Sequence, residues 1–227
     1  LAFKNQEDFV TNASHELRTP LTIMIGESEY ILRNDRTPED YKTFISGIKS
    51  DLIKLNFLLN NLLELAQIRG DKTFTFEKIR LDEITFNAIS HVKHKYPGRK
   101  IIPKIIYPEN EAETIIDGNE GLLAIAFHNL IDNACKFSEG DVLLDFAFLP
   151  GSITIIITDS GIGIPEDEIN LITRPFSRAS NAKFIGGFGV GLSLVKKILE
   201  LHKADMKIES KFKAGTTITL VFYTNHS

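Results

Sequence analysis

His15 stands in the run Ser14-His15-Glu16-Leu17-Arg18-Thr19-Pro20-Leu21. A neutral imidazole is a competent nucleophile near neutral pH, because its unperturbed pKa is about 6.5. The adjacent Glu16 carboxylate can orient the ring through one nitrogen and leave the other free to attack phosphorus. At about 100° per residue, His15 falls far around a helix from both Val10 and Leu17, so it faces away from the apolar seam they share. Pro20 has no N–H and its ring clashes with the Glu16 carbonyl, so a kink is expected beside His15, opening a path for a second domain. Thr19 lies one turn beyond His15 on the same face and could orient a water for in-line attack on an acyl phosphate. It could equally bond back to the Ser14 or His15 carbonyl. Taken alone, an exposed histidine usually does no chemistry.

A second constellation lies far along the chain. In Asn129-Leu130-Ile131-Asp132-Asn133-Ala134-Cys135-Lys136-Phe137, the two asparagines are four apart and share a helix face that Lys136 can join. Carboxamide oxygens suit a hard cation such as Mg2+, and an ammonium suits phosphate. The other reading is an amphipathic helix with two solvated amides. Asp159-Ser160-Gly161-Ile162-Gly163-Ile164-Pro165 follows a strand-like run. A carboxylate there can accept from an adenine amino group, and the glycines let backbone come close. Gly186-Gly187-Phe188-Gly189-Val190-Gly191-Leu192-Ser193 runs into a helix, a pattern that makes a phosphate cradle or simply a flexible connection.

The elements that must position these groups show two different periods. Up to about Arg69, Phe3, Val10, Leu17, Met24 and Ile31 recur every seventh residue. After a break, Thr37 is the expected N-cap with Pro38 at the first helical position and Asp40 as its acidic partner. The second helix carries one row of Tyr41, Ile48, Leu55 and Leu62 and another of Ile45, Leu52, Leu59 and Ala66. Two such rows cannot be buried within one hairpin, so a four-helix bundle of two copies is expected. Beyond a hinge at Gly70 to Thr73, helices are expected near 81–95, 119–137 and 191–202. Strands are expected near 101–107, 115–117, 142–149, 152–159, 206–210 and 216–223. The fold class is therefore α+β: a helical hairpin, then an α/β sandwich with helices on one face of a mixed sheet. The expected domains are 1–70 and 71–227.

Composition narrows the function classes. The 227 residues are 43% hydrophobic and 25% charged with a net charge of -4, which opposes a nucleic-acid partner held by phosphate neutralisation. No apolar run is long enough to span a membrane, so no membrane contact is expected within this segment. The single Cys135 cannot form an intrachain disulfide and suits a reducing compartment. The chain begins at Leu1 rather than methionine, which fits a piece of something longer.

The string around His15 resembles the phosphoacceptor box of the histidine kinases. The later strings, with Phe176-Ser177-Arg178-Ala179-Ser180-Asn181, resemble the N, G1, F and G2 boxes of the ATP-binding domain shared by histidine kinases, gyrase, Hsp90 and MutL. The resemblance covers almost the whole chain and implies a sensor histidine kinase of a two-component system, with ATP and Mg2+ as its cofactors. It implies His15 as phosphoacceptor with Glu16 and Thr19 beside it. Asn129 and Asn133 would bind Mg2+ and phosphates, Lys136 phosphate and Asp159 adenine. Gly161 and Gly163 would shape the adenine pocket, while Gly187, Gly189 and Gly191 would hold the lid. Phe137, Arg178, Leu192 and Thr216 would complete the nucleotide contacts. The implied partners are a second copy, through the hairpin, and a response regulator receiver domain. The implied setting is the cytoplasmic portion of a membrane-bound sensor. The acidic-x-x-Thr pattern Glu16 to Thr19 resembles that of family kinases that are also phosphatases. Two positions depart from the family pattern: Phe188 replaces a small or hydroxyl residue, and His202-Lys203-Ala204 replaces a commoner His-Gly-Gly. A nucleotide-binding pseudokinase dimer and an ATPase of the gyrase type are the competing readings. The ATPase leaves the His15 box without a role, and a Rossmann site fails because the glycine loop does not follow an N-terminal strand.

Overall fold

The structure is a computed structural model that describes residues 2–69 and 74–224. The chain divides into two compact units, Leu1–Ala66 and Gln67–Ser227. The expected hinge at Gly70 to Thr73 lies outside the described residues.

The first unit is a hairpin of α1 (Ala2–Leu32) and α2 (Pro38–Arg69). A reciprocal cap starts α2. The Asp40 N–H donates to Thr37 Oγ1 at 3.2 Å, and Asp40 Oδ2 accepts the Thr37 N–H at 3.0 Å and its hydroxyl at 2.7 Å. These bonds to Thr37 lower the Asp40 carboxyl pKa. On α1, Met24 is buried, Leu17 and Ile31 are half-buried, and Val10 is exposed; the Phe3 side chain lies outside those described. On α2, Tyr41, Ile48 and Leu55 are half-buried and Leu62 is buried, as the seam requires. A row that the sequence reading did not single out, Phe44, Asp51, Leu58 and Leu65, turns inward beside it, with Leu58 and Leu65 essentially inaccessible. The row Ile45, Leu52, Leu59 and Ala66 is exposed. Three heptad rows make a stripe wider than one neighbouring helix covers. The expected kink leaves no break: α1 is continuous on both sides of Pro20.

The second unit holds β1 (Glu77–Arg80), α3 (Leu81–Lys95), β2 (Ile101–Ile105), β3 (Ile115–Gly118) and α4 (Glu120–Phe137). It continues with β4 (Val142–Leu149), β5 (Ser152–Asp159), α5 (Gly191–Leu201), β6 (Asp205–Lys211) and β7 (Gly215–Tyr223). The five-stranded sheet runs β2-β4-β5-β7-β6, with β2 and β4 parallel and the remaining pairs antiparallel. β3 leaves this sheet and pairs with β1, a strand whose mixed Glu-Lys-Ile-Arg sequence hides its pairing. Ile153, Ile155 and Ile157 alternate with half-buried Thr154, Ile156 and Thr158, so one sheet face is sealed and the other half-open. Against the sealed face lie Phe127, Leu130 and Ile131 of α4 and Leu194, Val195 and Ile198 of α5, all almost wholly buried. The Phe127 and Phe222 rings are 6.2 Å apart at their centroids. Each such side chain contributes about 1.5–3 kcal/mol over an exposed one, enough for this unit to hold its own core.

α4 begins at Asn119, whose Oδ1 accepts the Leu122 N–H at 3.0 Å. α5 ends in a Schellman turn, in which the Ala204 N–H donates to the Leu199 carbonyl at 2.9 Å and the Lys203 N–H to that of Glu200 at 3.2 Å. Lys203 therefore takes φ +52°, a conformation that glycine adopts at no steric cost.

Candidate active site

His15 and the strings that carry Asn129, Asp159 and the glycines occupy separate units. On α1, His15, Arg18 and Thr19 are exposed and Glu16 is half-buried, so the imidazole is open to solvent on the face away from the seam. The neighbouring hydroxyls fold back on the helix: Ser14 donates to Val10 O at 2.8 Å, Thr22 to Arg18 O at 2.9 Å and Thr19 to His15 O at 3.1 Å. The Thr19 oxygen keeps its lone pairs as acceptors.

In the second unit, the glycine string 186–191 backs onto the face of α4 that carries Asn129, Asn133 and Lys136, and Gly161 of the string after Asp159 backs onto the helix's last carbonyl, at Phe137. Asn129 is buried and its Nδ2 donates to the Ile125 carbonyl at 2.9 Å, which fixes the amide. Its Oδ1 faces the start of α5, because a Cβ on Gly191 would stand 2.5 Å from it. Lys136 Nζ would lie 2.5 Å from a Cβ on Gly187, a residue with φ +133°. Burial holds the Lys136 ammonium below the ordinary lysine range, which leaves a half-desolvated cation suited to an anionic ligand. It also sits 4.8 Å over the Phe137 ring. Asn133 is half-buried on the same face.

Asp159 ends β5 opposite Thr216 in register. Its Oδ1 accepts the Gly161 N–H at 2.8 Å. Burial raises the carboxyl above the usual carboxylate range, against the lowering effect of the Gly161 and Thr216 backbone N–H groups. A Cβ on Gly161 would be 2.2 Å from the Phe137 carbonyl and one on Gly215 2.0 Å from that of Asp159, so both strands of this turn need glycine. Gly163 has φ +61° and Gly189 φ +70°, and Gly189 backs onto the Phe176–Ser177 backbone, where Phe176 itself has φ +64°. Phe137, Ile162, Ile164, Leu192 and Ile208 pack around buried Ile172, Ala179 and Ala182, an apolar floor beneath the loops.

The residues present fit a nucleotide with its Mg2+. The glycines are cradles that a Cβ would fill, and the α5 N-terminus opens at Val190 with no side-chain cap. Among the described residues no group of three or more His, Cys, Asp or Glu could hold a metal, so carboxamide oxygens and ligand phosphates would have to complete a Mg2+ shell. One nitrogen of the Arg178 guanidinium, Nη2, donates to the Ala182 and Ile185 carbonyls. The Thr216 hydroxyl is 2.9 Å from that of Ser210. Ser210 escaped the sequence reading: its Oγ accepts the Ile164 N–H at 2.9 Å and donates to the Gly215 carbonyl at 2.8 Å. A serine in a strand carries no local signal for such a role.

Comparison with known proteins matches residues 5–71 to the His Kinase A (phospho-acceptor) domain and residues 118–225 to the histidine kinase-, DNA gyrase B- and HSP90-like ATPase. The chain belongs to the sensor histidine kinase family. This histidine kinase is 30% identical over 220 residues to the sensor-like histidine kinase SenX3 of Mycolicibacterium smegmatis, covering 95% of this chain and 56% of the relative. It is 32% identical over 221 residues to the heme sensor protein HssS of Staphylococcus saprophyticus, covering 96% and 46% respectively. The chain spans about half the length of these curated relatives. The fold of the Acinetobacter baumannii histidine kinase AdeS superposes with a TM-score of 0.74 at 20% identity, over 93% of this chain and 98% of that one. No helix among the described residues is long and apolar enough to cross a membrane.

Proposed function

We propose that this chain is the core of a sensor histidine kinase that phosphorylates His15 from Mg-ATP and passes the phosphoryl group to an aspartate of a response regulator receiver domain. The observation that carries this reading is that one chain of this family joins a solvent-facing His15 to a glycine-lined cradle around Asn129, Lys136 and Asp159. Residues 1–70 serve as the dimerisation and phosphotransfer domain and 71–227 as the catalytic domain. The hairpin associates with that of a second copy, and the chain works as the cytoplasmic portion of a membrane-bound sensor.

Each residue has a task in this reading. Asp159 accepts a hydrogen bond from the adenine amino group, with Gly161, Gly163 and Thr216 bounding the ring. Asn129 and Asn133 hold Mg2+, which would neutralise phosphate charge. Lys136 and the uncapped α5 N-terminus bind phosphate oxygens, and Arg178 keeps the lid base folded. One ring nitrogen of His15 attacks the γ-phosphorus, a P–N bond forms, the bond to the bridging oxygen breaks and ADP departs. Glu16 orients the ring and takes up its proton. The regulator's carboxylate then attacks the same phosphorus, forming an acyl phosphate as the P–N bond breaks.

Incubation with ATP labelled on the γ-phosphate tests this. Acid-labile label on the protein is expected; free phosphate alone identifies an ATPase, and neither product identifies a pseudokinase. A phosphatase role for Thr19 belongs to the same proposal. Its bond to the His15 carbonyl leaves its lone pairs able to accept from an attacking water, so Thr19→Ala should spare autophosphorylation and sharply slow dephosphorylation of a phosphorylated regulator. Two unchanged activities would leave that helical bond as its whole role.

A further inference from the structure

Three side chains fasten the stretch just before the glycine loop. Glu168 Oε2 accepts the Ser180 N–H at 2.8 Å and its hydroxyl at 3.1 Å. Arg178 holds the Ala182 and Ile185 carbonyls. The Arg178 bonds stay within the stretch, and Glu168 reaches it from the short helix Glu166–Glu168. Asn181 alone of the three grips the turn that follows Asp159 itself: its Nδ2 donates to the Gly163 carbonyl at 2.8 Å and to that of Ile162 at 3.4 Å. We propose that Asn181 is a positioning residue for nucleotide binding, a clamp that locks the base of the lid to the adenine turn so that only Gly186 to Gly189 moves when nucleotide leaves. This rests on the nucleotide reading above.

The geometry explains why a carboxamide serves. With φ +61°, Gly163 turns the chain so that two successive carbonyls reach one nitrogen. A primary amide carries two N–H bonds on one atom and can satisfy both. From the other side the turn is gripped by the Lys213 N–H on the Ile162 carbonyl at 2.8 Å and by Ser210 on the Ile164 N–H at 2.9 Å. Asn181 is thus the lid's contribution to a turn otherwise held from β6, its following loop and the end of α4, where the Phe137 carbonyl accepts the Ile162 N–H at 3.0 Å. Its Oδ1 is buried with no hydrogen-bond partner among the described residues. Reversing the amide would set an acceptor against two acceptors, so the donor end is the one that holds.

The experiment follows release of a fluorescent ADP analogue from the full chain, chased with unlabelled ADP. Asn181→Ala should release it about tenfold faster, the effect of losing a hydrogen-bonded donor. Hydrogen exchange should quicken at residues 179–185 and stay unchanged in α4. Asn181→Asp should release faster still at alkaline pH, where a carboxylate faces two carbonyls. It should regain slow release as acid protonates the introduced carboxyl and restores one donor. Each rate is taken relative to the unsubstituted chain at the same pH, because Asp159 titrates beside the ligand. Release unchanged in both variants, or an Asn181→Asp defect that ignores pH, overturns the clamp. An unsubstituted chain that binds no analogue overturns instead the nucleotide reading on which it stands.

Discussion

The helical hairpin and the α/β unit treat their apolar residues in opposite ways. In the hairpin, Ile45 is 62% exposed and Leu52 50%, while in the α/β unit Ile153, Ile155 and Leu144 are sealed at 0%. A sheet covered by helices closes its core within one chain, because the inward residues of five strands meet the stripes of α4 and α5. Two antiparallel helices have only each other, and a third heptad row must find another surface. The unit that holds nucleotide is therefore complete alone, and the unit that carries His15 is built to be finished by association.

The sharpest way to break this division is His15→Gln, which should abolish acid-labile phosphorylation completely while ADP affinity and dimerisation stay as they were. Label persisting in that variant would move the acceptor elsewhere. Next in size is Leu52→Lys on the exposed row. It should raise the dimer dissociation constant by more than about a hundredfold, since a symmetric interface buries the charge twice. Light scattering should then show monomers, with nucleotide binding intact; an unshifted dimer would mean that another row forms the interface.

Asp159→Asn probes the other unit. It should weaken ATP binding by about 1.5–3 kcal/mol, the worth of a hydrogen bond to a charged group, measured by calorimetry. Stability should move the other way. Burial raises the Asp159 pKa, so the folded state holds its proton more firmly than the unfolded chain. Stability is then lost as pH rises from the ordinary carboxylate value through the raised one, and the amide removes that loss. ATP binding by the unsubstituted chain should weaken as pH falls through the same raised pKa. The smallest effect is Lys203→Gly, which should stabilise the α/β unit by about 1 kcal/mol by relieving a side chain at positive φ. Thermal melting should rise by a few degrees with kinase activity unchanged.

Much of this architecture is legible locally. The Thr37-Pro38-Asp40 start of α2, the Asn119 start of α4 and the turn between β4 and β5, where Pro150-Gly151 joins paired Leu149 and Ser152, are written in neighbouring residues, because caps and turns close within a few bonds. The nucleotide strings were legible for the same reason, since glycines at fixed offsets declare a backbone that must pass close to something. What they pass is not local. The inward turn of Phe44, Asp51, Leu58 and Leu65 was hidden by a charged residue in an apolar row. The pairing of β3 with β1 depends on a partner strand whose sequence alternates weakly.

The sequence by itself determined which residues could do the chemistry and the period of the elements that carry them, because rotamer, cap and turn preferences act over one or two turns of chain. Only the tertiary structure decided that Gly191 backs onto the Asn129 amide, that Ser210 and Asn181 grip the turn after Asp159 and that Lys136 is half-desolvated. Those are consequences of packing between segments far apart in the chain, where burial and the demand that every enclosed polar group find a partner set the outcome.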